Sequence, residues 1–154
     1  MQLNENQKMI ADMTRRFARE VLAPGAAARE QARAIEPEVL AGMAGLGLLG
    51  MTVAPEHDGA GADYVSYALA LMAVAEGDGA ISTVMSVHNA PFCAILERYG
   101  SPAQKAEVLR PAARGEFIGA IALTESHAGS DASAIRTRAR RVGDGNVIDG
   151  SKHF

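Results

Sequence analysis

Residues 119–131 read GAIALTESHAGSD. Before them the chain is patterned for helices, and after them for strands. Phe117, Ile118, Ala120, Ile121, Ala122 and Leu123 form a short apolar run of small and β-branched residues, which predicts a strand. Polarity switches at Thr124 and Glu125. Ala128-Gly129-Ser130-Asp131 then predicts a tight loop in which Gly129 is free to adopt φ > 0 and bring backbone N–H groups close to a ligand. A strand ending in hydroxyls and free amides suits a flat, hydrogen-bonding cofactor with a phosphate tail. The same residues also fit a strand followed by a Ser/Asp-capped turn that binds nothing.

Upstream, apolar residues recur at helical spacing. Leu3, Ile10, Met13, Phe17 and Val21 define a first helix, with Asn4 or Asn6 as its cap and Pro24-Gly25 as its end. Ala26 to Ala34 continue as helix or helical turn. Pro37 opens a second helix carrying Val39, Leu40, Met43, Leu46 and Leu48. Thr52 to Ala62, with Pro55, Gly59 and Gly61, reads as a loop. Asp63 caps a third helix, Tyr64 to Glu76, apolar nearly all round and so expected to be buried on several sides. Gly77-Asp78-Gly79 breaks the chain before a fourth helix that runs to Tyr99 with a kink at Pro91. Ser101-Pro102 starts a fifth, to about Ala113. Residues 1–115 therefore read as a helical bundle with short connections and largely antiparallel neighbours.

Downstream the period becomes two. Arg136, Arg138 and Arg140 fall on one side of a strand, Thr137 and Ala139 on the other. Gly143-Asp144-Gly145-Asn146 is a hairpin connection, Val147-Ile148 starts the returning strand, and Asp149-Gly150 is another turn. Residues 116–154 thus read as the start of a β-domain with about three strands and open edges. The fold class is α+β, a helical bundle followed by the first strands of an incomplete β-domain, and the chain is expected to be a fragment cut within it.

Composition excludes several functions. The chain has 154 residues, 48% hydrophobic and 21% charged, with a net charge of −3 that gives no attraction to nucleic acid or anionic membrane. Without Trp, and with four Phe and three Tyr, it lacks a base-stacking platform. Cys93 is the single cysteine, so no internal disulfide forms and a reducing, cytoplasmic setting is expected. MQLNENQK has no signal-peptide core, and no unbroken apolar run of about 18 residues predicts a membrane span. His57, His88, His127 and His153 lack metal-ligand spacing, so no metal site is expected.

The strings ALTESHAGSD, AIRTRARRV and NVIDGSKHF resemble the acyl-CoA dehydrogenase family of FAD-dependent flavoenzymes, over about Leu3 to Phe154. Thr124-Glu125 and Ala128 to Asp131 carry the most specific part; Ser126 stands where the family usually has proline. The resemblance implies that Thr124 meets the pyrimidine end of FAD through its hydroxyl and N–H. It places Gly129 and Ser130 at the pyrophosphate, Ser130 also against acyl-CoA, and Ile121 and Leu123 along the flavin. It implies an oxidation of acyl-CoA thioesters to trans-2-enoyl-CoA, with electrons leaving through an electron-transfer flavoprotein and full-length subunits assembling as homotetramers. The family's catalytic glutamate lies in a later helical domain, so no residue of this chain is assigned as the base and the fragment alone is expected to be inactive.

Each residue also has a plainer reading. Thr124 is a good strand former, Ser130-Asp131 a cap, and Ile121 and Leu123 core residues. Glu125 is expected to be structural. His88 falls in the bundle region that lines the family's acyl pocket, yet fits a satisfied helix histidine; Arg136 to Arg141 fit either the anionic part of CoA or a solvated strand face. A non-catalytic helical interaction module, or a related acyl-CoA oxidase or flavin monooxygenase, stands as the alternative function.

Overall fold

The computed structural model describes residues 2–154, whose contacts divide the chain into two units, Met1–Ala120 and Ile121–Phe154. The fold is α+β: a helical unit, then a small unit with one antiparallel hairpin.

The helical unit holds α1 (residues 5–32), α2 (Pro37–Gly45), α3 (Tyr64–Gly77), α4 (Gly79–Tyr99) and α5 (residues 102–113). Asn4 starts α1 with a reciprocal cap, its side chain accepting from the Gln7 N–H at 2.8 Å while Gln7 accepts from the Asn4 N–H at 3.1 Å. Contrary to the sequence expectation, α1 does not stop at Pro24-Gly25. Over Ala18–Leu22 the helix widens by one residue per turn, and the Ala23 N–H bonds back to the Ala18 carbonyl. Proline, with no N–H to offer, then sits in the first turn of the segment that continues to Ala32. Gly25 makes room for Arg29, because a Cβ there would lie 2.5 Å from the guanidinium.

That guanidinium ties α1 to the α3–α4 junction. Arg29 Nε donates to Asp78 at 2.9 Å, both side chains being nearly inaccessible, and another Arg29 nitrogen donates to the Leu22 carbonyl. Asp78 also caps α4 through the N–H groups of Ala80 and Ile81. Asp63 caps α3 and Ser101 caps α5 as their sequences predict. Leu22, Met43, Leu49, Val74, Ile81 and Met85 fill the main core; Val53, Cys93, Leu109 and Ala112 form a second beside it. The Val, Leu, Ile and Met side chains among them each contribute about 1.5–3 kcal/mol on full burial. Only the Ser66, Ala70, Ala73 and Val74 side of α3 is buried, whereas Tyr64 and Met72 are 71% and 63% exposed.

The 46–62 segment folds on itself through Ala60→Gly50, Gly61→Val53 and Ala62→Met51 backbone bonds, and Asn89 fastens it to α4. Asn89 lies at the expected kink, where Ala90 leaves helical geometry (φ −140°, ψ 104°) before Pro91. By length and composition α4 is apolar enough to cross a bilayer, although no unbroken apolar run announces it. Here its Ile81, Met85 and Cys93 are core residues, and its buried His88 and Asn89 bond to other parts of the unit.

In the second unit, β1 (Arg138–Val142) pairs with β2 (Gly145–Asp149) across the two-residue turn Gly143-Asp144, where Gly143 takes φ 58°. The expected third strand over 117–123 is absent. That segment bends at Phe117 and is irregular beyond it, with no neighbouring segment with which to exchange ladder bonds, and without them an apolar run is not a strand. All five β1 residues are exposed, so the alternation of Arg and small residues has no buried face behind it.

Candidate functional site

The turn after this segment is closed by Glu125 and Ala128, which exchange both backbone hydrogen bonds (2.9 and 3.1 Å) around Ser126 and His127. The Glu125 carboxylate is the hub of the second unit. It accepts from the Arg136 N–H at 2.8 Å, the Thr137 N–H at 2.9 Å, the Thr137 hydroxyl at 2.5 Å and Lys152 Nζ at 3.0 Å, with His127 Nε2 at 3.4 Å. Those donors favour the ionised form. The Thr137 hydroxyl, then the Arg136 N–H, hold Glu125 far below the usual carboxylate range against the opposing effect of burial. A carboxylate so committed is a fixed anion and a poor proton acceptor.

Lys152 reaches further, donating to the Leu123 carbonyl at 2.8 Å, and the His153 N–H donates to the Thr124 carbonyl at 2.9 Å. Gly150 lets this return pass close to Thr137, since a Cβ there would stand 2.2 Å from the Thr137 hydroxyl. The loop therefore has its carbonyl side and its acidic residue occupied internally. Its donor side is open. The hydroxyls of Thr124 and Ser130, and the N–H groups of Thr124, Gly129 and Ser130, have no protein partner among the described residues.

All five sequence-predicted residues fall on this unit. Ile121 and Leu123 expose 38% and 52% of their surfaces, so neither is a core residue. Thr124 is half-buried and Gly129 and Ser130 are exposed. Gly129 does not take the left-handed conformation anticipated for it, and a Cβ there would meet nothing within 4 Å. The fold does not demand glycine at 129; what glycine leaves is unobstructed access to the backbone N–H groups. Asp131 turns its carboxylate onto Ser133, accepting from its N–H at 3.1 Å and its hydroxyl at 2.5 Å, and starts the short turn Ala132–Ala134. An apolar edge followed by unpaired donors fits two parts of FAD, the ring system and the pyrophosphate that follows it.

Sequence reading missed Lys152 and Thr137 as partners of Glu125. The only signal was a carboxylate followed, just before the Arg-rich strand, by a hydroxyl. In the helical unit, Thr83, Val84, Val87, Ile118, Gly119 and Ala120 line an apolar groove of ≈ 210 Å³.

Known proteins are similar to this chain in sequence and fold. The family model "Acyl-CoA dehydrogenase, N-terminal domain" matches residues 4–116. An acyl-CoA dehydrogenase of Bacillus subtilis (strain 168) is 35% identical over 154 residues, covering 100% of this chain and 41% of the relative. The mitochondrial short-chain specific acyl-CoA dehydrogenase of Rattus norvegicus is 36% identical over 152 residues, 99% of this chain and 37% of the relative. Among solved structures, butyryl-CoA dehydrogenase from Megasphaera elsdenii matches with TM-score 0.89 and 29% identity, covering 99% of this chain and 41% of that one. A glutaryl-CoA dehydrogenase from Mycobacterium smegmatis in complex with FADH2 matches with TM-score 0.91 and 34% identity, covering 97% and 39%. The chain spans about two-fifths of the length of these relatives.

Proposed function

The chain belongs to the acyl-CoA dehydrogenase family, and from that premise we propose that it supplies the helical wall and the flavin-contacting segment of an FAD-dependent enzyme that converts acyl-CoA to trans-2-enoyl-CoA. The observation that carries this reading is the set of unpaired donors on Thr124, Gly129 and Ser130 beside the exposed Ile121 and Leu123.

Bound FAD would supply the hydride acceptor for the β-carbon of the thioester. The residues of this chain bind and orient. Thr124 offers a hydroxyl and an N–H to the pyrimidine end, Gly129 and Ser130 offer theirs to the pyrophosphate, and Ile121 and Leu123 present apolar surface to the ring. Ser130 also contacts acyl-CoA in this reading, and the groove lined by Val84, Val87 and Ile118 takes part of the acyl chain. Glu125 shapes the loop and moves no proton, so the base that removes the α-proton comes from outside this segment. Positioning of this kind accounts for a large share of the rate in such reactions. The electron acceptor is an electron-transfer flavoprotein, and the assembled enzyme is a homotetramer.

The test is to titrate FAD into the 154-residue chain and into a chimaera completed with the remainder of the Bacillus subtilis relative. Binding quenches flavin fluorescence, and acyl-CoA oxidation is read on the chimaera. Thr124→Val and Ser130→Ala should each weaken FAD binding by about tenfold, the worth of a hydrogen bond or two. A chimaera that folds and takes up no FAD refutes the proposal.

A further inference from the structure

Between Glu116 and Leu123 the backbone bends at Glu116 and Phe117 and then runs without regular structure, and one hydrogen bond among the described residues holds it: the Gly119 N–H donates to His88 Nδ1 at 2.9 Å. Before it, the Glu116 N–H bonds to Pro111; after it, Lys152 meets the Leu123 carbonyl. His88 is fully buried on α4, two residues before the kink. Its other ring nitrogen, Nε2, lies 3.0 Å from the Ala112 carbonyl in the last turn of α5. A donor at Nδ1 requires a bare lone pair there, so the ring proton sits on Nε2 and is donated to Ala112. Burial pushes the imidazole below its ordinary pKa, outweighing the Ala112 and Leu49 carbonyls that favour the charged ring, in line with the neutral form this pattern needs. The titratable neighbour at the ring is Cys93, 3.8 Å from Nε2, its thiol pushed up to about 12 by burial and so uncharged.

Sterics narrow the arrangement further. Phe92 stacks on the His88 ring at a centroid distance of 6.0 Å and meets Phe117 edge-on at 6.2 Å. A Cβ at Gly119 would lie 2.1 Å from the Phe92 ring, so any side chain at 119 would displace either Phe92 or the amide that reaches Nδ1. The satisfied helix histidine of the sequence reading thus has its two bonds on segments 24 and 31 residues away.

We infer that His88 is a positioning residue. As the neutral Nε2–H tautomer it holds the Gly119 amide and so fixes the irregular segment that runs by covalent continuity into Ile121, Leu123 and Thr124. The flavin half of this inference rests on the proposed function; the bond to Gly119 does not.

Three variants separate this from a merely structural role. His88→Asn places an amide oxygen where Nδ1 was and keeps the acceptor for Gly119. His88→Gln reaches the Nε2 position, keeps the donor to Ala112 and offers Gly119 nothing. His88→Leu removes both. Amide hydrogen exchange at Gly119 is measured in the 154-residue chain, and FAD affinity in the chimaera. Exchange should be near wild type in His88→Asn and about tenfold faster in His88→Gln and His88→Leu, with FAD binding weakened about fivefold to tenfold in the latter two. The ¹⁵N spectrum of the wild-type chain should show a protonated Nε2 and a bare Nδ1. The inference is overturned if His88→Asn and His88→Gln behave alike, or if the wild-type spectrum shows Nδ1 protonated. A chimaera that binds no FAD removes the flavin half, while the exchange measurement and the spectrum still decide whether His88 holds the segment.

Discussion

Asn89 offers a sharp test of how the helical unit is held together. Its Nδ2 donates to the Leu48 carbonyl at 2.8 Å and the Met85 carbonyl at 2.9 Å, and its Oδ1 accepts from the Met51 N–H at 2.9 Å. The side chain is fully buried, as are Leu48 and Leu49, with Met51 at 3% exposure. In Asn89→Ala the Met85 carbonyl keeps its helical partner, the His88 N–H, but the Leu48 carbonyl and the Met51 N–H have no alternative among the described residues. Each buried group left unpaired costs about 1–3 kcal/mol, so the variant should lose about 2–6 kcal/mol. For a domain of ordinary stability, about 5–15 kcal/mol, that is a large fraction of the whole. Urea unfolding followed by far-ultraviolet circular dichroism measures the loss as a shift in midpoint at unchanged slope. Asn89→Leu restores the volume and still leaves both groups unpaired, so it should be no more stable than Asn89→Ala. If either variant unfolds within about 0.5 kcal/mol of wild type, or if leucine rescues alanine, the polar clamp is not what holds the 46–62 segment.

Asp78→Asn should cost about 1–3 kcal/mol at neutral pH by leaving the buried Arg29 with only the half-exposed Glu36, at 3.4 Å, as its counter-charge, read from urea midpoints. Burial opposes the Asp78 charge, but the Arg29 hydrogen bond, the Ile81 and Ala80 N–H groups and the Arg29 charge together hold its pKa below the usual range. A depressed folded pKa stabilises above the unfolded value and is lost as pH falls through the folded one, so the variant should show a flatter acid limb below about pH 4. Glu125 follows the same sign: exchange of the Arg136 and Thr137 amides should stay slow through the ordinary carboxylate range and accelerate only in stronger acid. Gly59→Ala would set a Cβ 2.1 Å from the Val53 carbonyl oxygen, which also accepts from the Gly61 N–H; about 1–3 kcal/mol should be lost, seen as a lower melting temperature.

Much of the helical unit was legible in the chain order. Asn4, Asp63 and Ser101 cap helices through bonds two or three residues away, and Pro91 kinks the helix that contains it; signals of that range are complete in the local sequence. Pro24-Gly25 misled for the same reason. The local rule ends a helix there, and a widened turn at Ala18–Leu22, with Arg29 laid over Gly25, carries it through. The apolar run at 117–123 likewise has the composition of a strand, but a strand needs a second chain segment beside it.

The amino-acid order alone determined where the helices start, that the pattern changes after Gly115, and which loop carries the unpaired donors. Tertiary structure decided what grips that loop and the segment before it: Glu125 on Thr137 and Lys152, and His88 on Gly119 and Ala112. Those partners stand 12 to 31 residues apart. A buried donor or acceptor must find a mate, but the sequence states only that the need exists. Which distant group meets it depends on which elements the cores bring together.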